Sequence, residues 1–421
     1  MKSAHGRQVP PEAATLTHVG PGTPMGELMR RYWQPVGLSD ELKDLPQRVR
    51  ILGEDLVLFR DRQGRPGLLE LHCSHRGTSL EWGRIEERGL RCCYHGWLFD
   101  AEGLCLEMPC EPAGYAERRR LEHPAYPVLE YGGLVFAYLG PPDTGPLFPM
   151  YDIFDTRYRD DVVLRGLKPW GEASITNVRD CNWLQHYENV MDPYHLPILH
   201  FLISGPQFTG VLSDLKLPRF EFEETPLGMR HHMVQPLPNG NRLERYVEVV
   251  LPNVFLLPNL HEPGDRPIER DKPSEVTWVV PEDDTHVTAF CLVAWPLVDG
   301  EPDPHFRPRI ETTTYDAEGN QIRPAALAER PYEDRQRRPD DKEAMEGQRP
   351  IAIHALEHLV SSDKGVMMLR QLLRRQLDAL AAGRDPINVV RDPAQNDAIE
   401  THAWNTVTVG APGLAPAAAE Q

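Results

Sequence analysis

No apolar run in this chain of 421 residues approaches the roughly 18–20 residues that a membrane-spanning helix needs, so no membrane partner is expected. The opening stretch, MKSAHGRQVPPEAAT, lacks the apolar centre of an export signal, and the expected location is cytoplasmic. Positive charge is in deficit: 45 Lys and Arg stand against 63 Asp and Glu, a formal charge of −18. A surface of that sign repels phosphate backbones, which argues against nucleic acid as a partner. No glycine fingerprint for a flavin or nicotinamide nucleotide is present, so electrons for redox chemistry are expected from a separate protein. Cysteine is sparse. The 7 cysteines are odd in number and, without an export signal, do not read as a disulfide framework.

What is present reads as two domains of a globular protein, with 40% hydrophobic and 26% charged residues. After a short helical pattern in GPGTPMGELMRRYWQPV, the text turns β-like. RVRILGEDLVLFRD alternates, GRPGLLELHC follows a glycine-containing turn, and GGLVFAYLG closes the region. The cluster LGPPDTGPLFPM at 139–150 marks the boundary, giving units 1–150 and 151–421. In the second unit, CNWLQHYENVMDPYHLPILH reads as helix interrupted by prolines. Strands follow in RLERYVEVVL, SEVTWVV and HVTAFCLVAWPL, the last two joined by a PEDDT turn. Residues 311–340 read as a polar excursion loop, and a long helix runs from about Ser362 to Gly383 before a low-complexity tail. The layout predicts a small all-β domain followed by an α+β domain.

Five of the cysteines crowd into residues 73–110, interleaved with histidines, which points to metal. Cys73 and His75 flank one residue; sixteen residues later come Cys92 and, three positions on, His95. Zinc accepts two Cys and two His, but zinc modules usually pair like with like. Here each loop supplies one of each, as a two-iron cluster with both cysteines on one iron and both histidines on the other requires. The pattern favours iron. A second group lies in ENVMDPYHLPILH, where Asp192 and His195 share one face of a helical turn. His200, five beyond His195, would swing off that face, and Pro197 between them is expected to redirect it. Two converging histidines with a carboxylate suit a mononuclear non-haem Fe(II) site with positions left open for dioxygen. Spacing alone does not find the carboxylate. Asp192 also reads as a helix N-cap ahead of Pro193, and Asn189 as either a neighbour of the iron or a cap. His186 is excluded as a ligand, and His231, His232, His354 and His358 read as structural or solvated.

Cys-x-His-x16-Cys-x2-His, with HRG and YHGW around it, resembles the Rieske iron–sulfur family. Followed by E-N-x2-D-P-x-H-x4-H, it resembles the catalytic α subunit of Rieske non-haem iron oxygenases. GPGTPMGELMRRYWQPV is similar to the phthalate-dioxygenase-like branch, which includes aromatic-acid hydroxylases and aromatic O-demethylases. The resemblance implies an N-terminal all-β Rieske [2Fe–2S] domain and a helix-grip catalytic domain, an antiparallel sheet with covering helices. It implies Cys73 and Cys92 on one iron of the cluster, and His75 and His95 on the other. One departure stands out: Cys93 occupies a position that is commonly proline, and Cys93-x-His95 repeats the spacing of Cys73-x-His75. The resemblance selects Cys92 as ligand and leaves Cys93 as a small buried thiol beside the cluster.

The same resemblance places the mononuclear iron on His195, His200 and a carboxylate in PDDKEAMEGQ, which nominates Asp341 with Asp340 and Asp334 as alternatives. It gives Asp192 the task of accepting the outer N–H of His195 and of bridging to His95 of a neighbouring subunit, in a homotrimer or a hexamer of stacked trimers. Electrons would come from NAD(P)H through a separate flavin/iron–sulfur reductase. The substrates would be O2 and a small aromatic compound, carboxylated or methoxylated, undergoing hydroxylation, O-demethylation or cis-dihydroxylation. A pure Rieske electron carrier is the distant alternative, against which the second domain argues. Metal analysis separates these readings. Iron in excess of acid-labile sulfide is expected; equal amounts would indicate a carrier, and zinc without sulfide would remove both.

Overall fold

The computed structural model describes residues 6, 8–155, 161–168, 178–205, 219–237, 240–258, 267–306, 314–315, 321–322 and 331–409. The alternating stretches of the first domain form the expected strands. Gln47–Ile51 and Glu54–Arg60 pair across a tight turn at Leu52 and Gly53, both at positive φ, and Pro66–Glu70 and Ala125–Tyr126 complete a four-stranded sheet. A second four-stranded sheet runs Arg84–Glu86, Gly89–Arg91, Leu98–Phe99 and Cys105–Glu107. The third, three-stranded, sets Leu134–Tyr138 between Trp33–Leu38 and Val128–Tyr131. All five residues of Leu134–Tyr138 are buried, because this strand also meets the second domain: the Phe136 ring lies 5.3 Å from that of Trp278.

The second domain is built on an 11-stranded antiparallel sheet with central order Val162–Leu167, Val287–Val298, Glu275–Pro281, Val254–Leu256, Arg242–Val250, Gly228–Pro236 and Phe220–Glu224. Trp404–Thr408 also pairs with Arg242–Val250. The PEDDT segment makes the expected hairpin, with the Glu282 N–H donating to the His286 carbonyl at 2.9 Å. Helix Trp183–Val190 lies on the sheet, and the Tyr187 hydroxyl pins it to the carbonyls of Val250 and Val254 at 2.9 and 3.0 Å. Together the antiparallel sheet and its helices make the α+β, helix-grip architecture. The largest hydrophobic cluster runs through both domains, from Leu28 and Phe136 to Trp183 and Leu373.

Two elements differ from the sequence reading. The first-domain helix is Pro24–Met29, capped by Thr23, and stops short of Tyr32 because Trp33 already enters a strand. Arg30 just beyond it is buried, donating to three carbonyls and to Glu54 Oε1 at 2.7 Å. The 311–340 excursion contains a helix, Tyr332–Arg337, and a short strand pair, Thr314–Tyr315 with Gln321–Ile322; most of the rest lies outside the described residues, as does the tail from 410. Among the described residues no helix is long and apolar enough to cross a membrane.

The long C-terminal helix is Lys364–Ala381, burying Val366, Leu369, Leu372, Leu373 and Leu377 along one face. Its second residue is glycine for want of space: a Cβ on Gly365 would sit 2.2 Å from the Met191 carbonyl oxygen and 2.4 Å from the Phe222 ring. That contact holds the helix against the chain segment leading into Asp192. Gly365→Ala is expected to cost about 2 kcal/mol through overpacking, read as a lower melting temperature. An unchanged melting curve would show the helix free to yield there.

Candidate metal centres

Two turns of similar construction carry the Cys/His pairs of the first domain. The Cys73 carbonyl accepts from the Gly77 N–H at 2.8 Å, and the Cys92 carbonyl accepts from the Gly96 N–H at 3.1 Å. Both glycines sit near φ +74, at 73° and 74°, where a side chain would strain the turn. Each cysteine N–H is also engaged, Cys73 by the Thr78 carbonyl at 3.0 Å and Cys92 by the Trp97 carbonyl at 2.8 Å. The turns carry Cys73 and Cys92 inward, buried and in contact with one another, and leave His75 exposed and His95 half-buried at the rim. Burial, with the Cys92 thiol adding to it, pushes the Cys73 thiol up to about 12; the N–H groups of His75 and Arg76 oppose this by pointing at its sulfur. The two imidazoles lie 4.4 Å apart edge to face, and Trp97 stacks on His75 at 4.5 Å.

Cys93 is not the buried thiol that the sequence suggested. The second turn opens on Cys92, so the next side chain faces outward and Cys93 is exposed. Two sulfurs side by side, two adjacent imidazoles and a shielded His95 Nδ1 without a hydrogen-bond partner make a donor set that fits a two-iron cluster.

The second site gathers residues far apart in sequence. His195, His200 and Asp341 each offer a ligand atom, and the three atoms lie within 4.8 Å of one another. Asp341 Oδ1 is 3.4 Å from His195 Nε2 and 3.3 Å from His200 Nε2. His200 reaches this position by a route different from the one expected. After the short helical turn His195–Pro197, residues Ile198–Ile203 form a π-helix, closed by the Ser204 N–H on the Leu199 carbonyl at 3.1 Å. The wider π turn carries the fifth residue back toward the face of the first, and the rings stand 5.3 Å apart.

The choice between the two aspartates has a physical basis. Asp340 is the N-cap of helix Asp341–Glu346: its carboxylate accepts the Asp341 N–H at 2.8 Å, and Glu343 reaches back to the Asp340 N–H at 2.7 Å. That engagement holds Asp340 Oδ1 3.8 Å from His200 Nδ1, while Asp341 turns toward both imidazoles. Burial would raise the Asp341 carboxyl, yet His200 and His195 together hold it well below the usual carboxylate range. Burial and the Asp341 charge raise Asp340 instead. Asn189 donates to Asp341 Oδ1 at 3.1 Å, so it orients the carboxylate. Two imidazoles and one ionised carboxylate converging from one side fit an Fe(II) ion with open positions.

Asp192 meets His195 differently from the reading above. The Nδ1 of His195 hydrogen-bonds the backbone carbonyl of Asp192, and the Asp192 carboxylate accepts the Tyr194 N–H, as in a cap. Burial raises that carboxyl. Asp192 lines an open cleft of about 540 Å³ shared with Glu188, Glu357 and Arg370. There Arg370 grips Glu188 through Nε at 2.5 Å and Nη2 at 2.7 Å, and also binds Glu357.

On the other side of His195 is an apolar cavity walled by Val190, Leu196, Phe220, Met233, Val247 and Leu257. Its polar lining is His195 itself with Asn189, His231 and Arg245. Sequence reasoning set His231 aside and did not single out Arg245. The available signal was register: along Gly228–Pro236 the buried positions alternate, and His231 takes the inward place between Met229 and Met233.

A model of the Rieske [2Fe–2S] domain matches residues 32–127. Phenoxybenzoate dioxygenase subunit alpha of Ectopseudomonas oleovorans is 41% identical over 382 residues, covering 89% of this chain and 87% of the relative. The chain belongs to the Rieske oxygenase α-subunit family. A second relative, the tert-butanol monooxygenase / tert-amyl alcohol desaturase oxygenase subunit of Aquincola tertiaricarbonis, is 42% identical over 395 residues, 91% of this chain and 80% of its own. Dicamba monooxygenase bound to dicamba shares the fold, with a TM-score of 0.54 at 19% identity over 84% of this chain and 99% of that one. A Rieske oxygenase α subunit is an oxygen-incorporating oxidoreductase that carries a [2Fe–2S] cluster and a mononuclear iron and works in a multi-component system with a reductase.

Iron and sulfide content of single variants tests the ligand geometry. Cys92→Ala is expected to lose the cluster's iron and sulfide, and Cys93→Ala to keep both. Asp341→Ala is expected to lose the mononuclear iron alone, while Asp340→Ala keeps it and loses about 1 kcal/mol as a missing N-cap. Retention of that iron in Asp341→Ala, with loss in Asp340→Ala, would reverse the assignment.

Proposed function

We propose that this Rieske oxygenase α subunit oxidises a small aromatic acid, by hydroxylation or O-demethylation, in the cavity beside His195. The carrying observation is the cavity itself: an apolar wall suited to a ring, bordered by His195 of the three converging donors and lined at one place by a guanidinium. Arg245 is buried and oriented by Asn405 Oδ1 at 3.1 Å and the Pro258 carbonyl at 2.8 Å, so its charge is fixed where a carboxylate could meet it. The phenoxybenzoate name of one relative supports the same substrate class.

In this reading Cys73, His75, Cys92 and His95 hold the cluster, and His195, His200 and Asp341 hold the mononuclear iron. When bound, the cluster relays single electrons and the iron activates dioxygen. The chain's own residues do the positioning. The Asp192 carbonyl holds the proton of His195 on Nδ1, which aims the Nε2 lone pair at the metal position. Asn189 fixes the donor oxygen of Asp341, and the apolar wall keeps water from the reacting centre.

The proposed assembly is a homotrimer, or two stacked trimers, in which His95 of one subunit faces the cleft holding Asp192 of the next. Two exposed apolar groups support it: Trp82 and Tyr94, at 70% and 57% exposure, lie in the domain that carries the cluster turns, and Val360, at 60%, follows the cleft residue Leu359. The reductase is a separate flavin/iron–sulfur protein drawing on NAD(P)H, and the compartment is cytoplasmic. A second reading, oxidation of a small alcohol, is favoured by the tert-butanol relative.

Benzoates, phthalates, methoxybenzoates and tert-butanol, each supplied with reductase and O2, test the substrate class. Turnover of a carboxylated ring is expected, with formaldehyde released only if the reaction is demethylation. Arg245→Gln is expected to raise KM for the acid at least ~10-fold, as a lost charge-assisted contact. Turnover of tert-butanol with none of any aromatic acid would replace the first reading with the second.

A further inference from the structure

His231 lines the cavity, and one of its buried ring nitrogens has no partner. His231 is only 3% exposed, and its ring packs edge-on against Phe220 at 5.6 Å and tilted against Phe222 at 6.3 Å. The ring binds the backbone carbonyl of Val190, the last residue of helix Trp183–Val190. A helix leaves its final carbonyls without intrahelical donors, so this bond answers a standing need and holds one nitrogen as N–H. The other nitrogen, Nδ1, is shielded from solvent and makes no hydrogen bond. Burial among apolar groups, with Arg245 and His195 nearby, lowers the ring to about 3. The imidazole is therefore neutral at ordinary pH, and with its proton on the nitrogen facing Val190, Nδ1 offers a lone pair.

An acceptor left bare in an apolar cavity is costly unless the cavity's occupant supplies a donor. Of the other polar residues lining the cavity, Arg245 can only donate, Asn189 is engaged with Asp341, and His195 is taken up by the Asp192 carbonyl and the metal position. We infer that His231 is a specificity-determining residue of this oxygenase, whose Nδ1 accepts a hydrogen bond from a hydroxyl group of the substrate. The cavity would then prefer a hydroxylated compound to the same compound capped as its methyl ether. This rests on the reading of the cavity as the substrate site and narrows the proposed class to aromatic acids carrying a free hydroxyl.

Calorimetric binding to the holoenzyme, with no turnover, tests it using two pairs: 3-hydroxybenzoate with 3-methoxybenzoate, and tert-butanol with methyl tert-butyl ether. The hydroxylated member of the benzoate pair is expected to bind about 10-fold tighter, the size of one hydrogen bond to a buried acceptor. His231→Leu should abolish that preference by weakening the hydroxy compound alone, leaving the affinity for the ether within about two-fold. His231→Phe keeps the ring's bulk while removing both nitrogens, so it should act like Leu and serves where Leu fails to fold. If the preference is absent in the native protein or survives in both variants, the role of His231 is overturned and the aromatic-acid reading stands. If neither benzoate binds but tert-butanol is preferred to its ether through His231, the aromatic-acid reading falls and the hydroxyl contact stands. Binding of neither hydroxylated probe overturns both.

Discussion

A carboxylate buried against two imidazoles is the constraint around which the second domain is arranged. Asp341 is ionised in a site where burial opposes ionisation, and His195 and His200 at 3.4 and 3.3 Å offset that opposition. Three segments must therefore be held in register to within an ångström or so: the broken helix carrying the histidines, the helix that begins at Asp341, and the helix presenting Asn189. Each is fixed by bonds away from the site. Asp340 and Glu343 lock the start of one helix, Tyr187 pins another to the sheet, and a π turn sets the pitch of the third.

The cleft behind Asp192 shows the same economy of placement. Arg370, from the C-terminal helix, binds Glu188 and Glu357 together. Glu188 is buried, and that burial raises its carboxyl against the pull of Arg370. Losing one member of such a triad strands the others in a poor solvent, so the three act as a unit. Gly365 in the same helix allows contact with the Met191 carbonyl, which places the C-terminal helix, the helix Trp183–Val190 and the turn at Asp192 in one packed body.

Much of this was legible in the sequence, and the illegible parts share a cause. The strands read from period-two patterns, the long helix from its apolar face, and the cluster-bearing turns from mixed Cys/His spacing. Asp341 lies 141 positions beyond His200, and spacing carries no information across that gap; a family resemblance supplied the stretch, and the structure shows why the second aspartate of the pair, not the first, turns inward. Pro197 suggested a redirected helix, but the π turn that does the redirecting has no residue signature. Cys93 was misread as buried because neither spacing nor resemblance carries the direction of its side chain, and only the turn separates a buried thiol from an exposed one. His231 was passed over because a lone histidine in a strand is more often packing than contact; the unpartnered nitrogen becomes visible only when Val190 and the cavity are in place.

The backbone closure of the two cysteine turns bears on the order of events in the protein's maturation. The bonds from Gly77 and Gly96, and those from Cys73 and Cys92 to Thr78 and Trp97, run between main-chain atoms and use none of the four side chains that face the cluster position. Each turn is further rooted in a strand of its own sheet. The receptacle is thus shaped by the chain, unlike small zinc modules in which metal binding supplies the folding energy. Insertion of the iron–sulfur unit can then follow folding, as delivery into a finished socket.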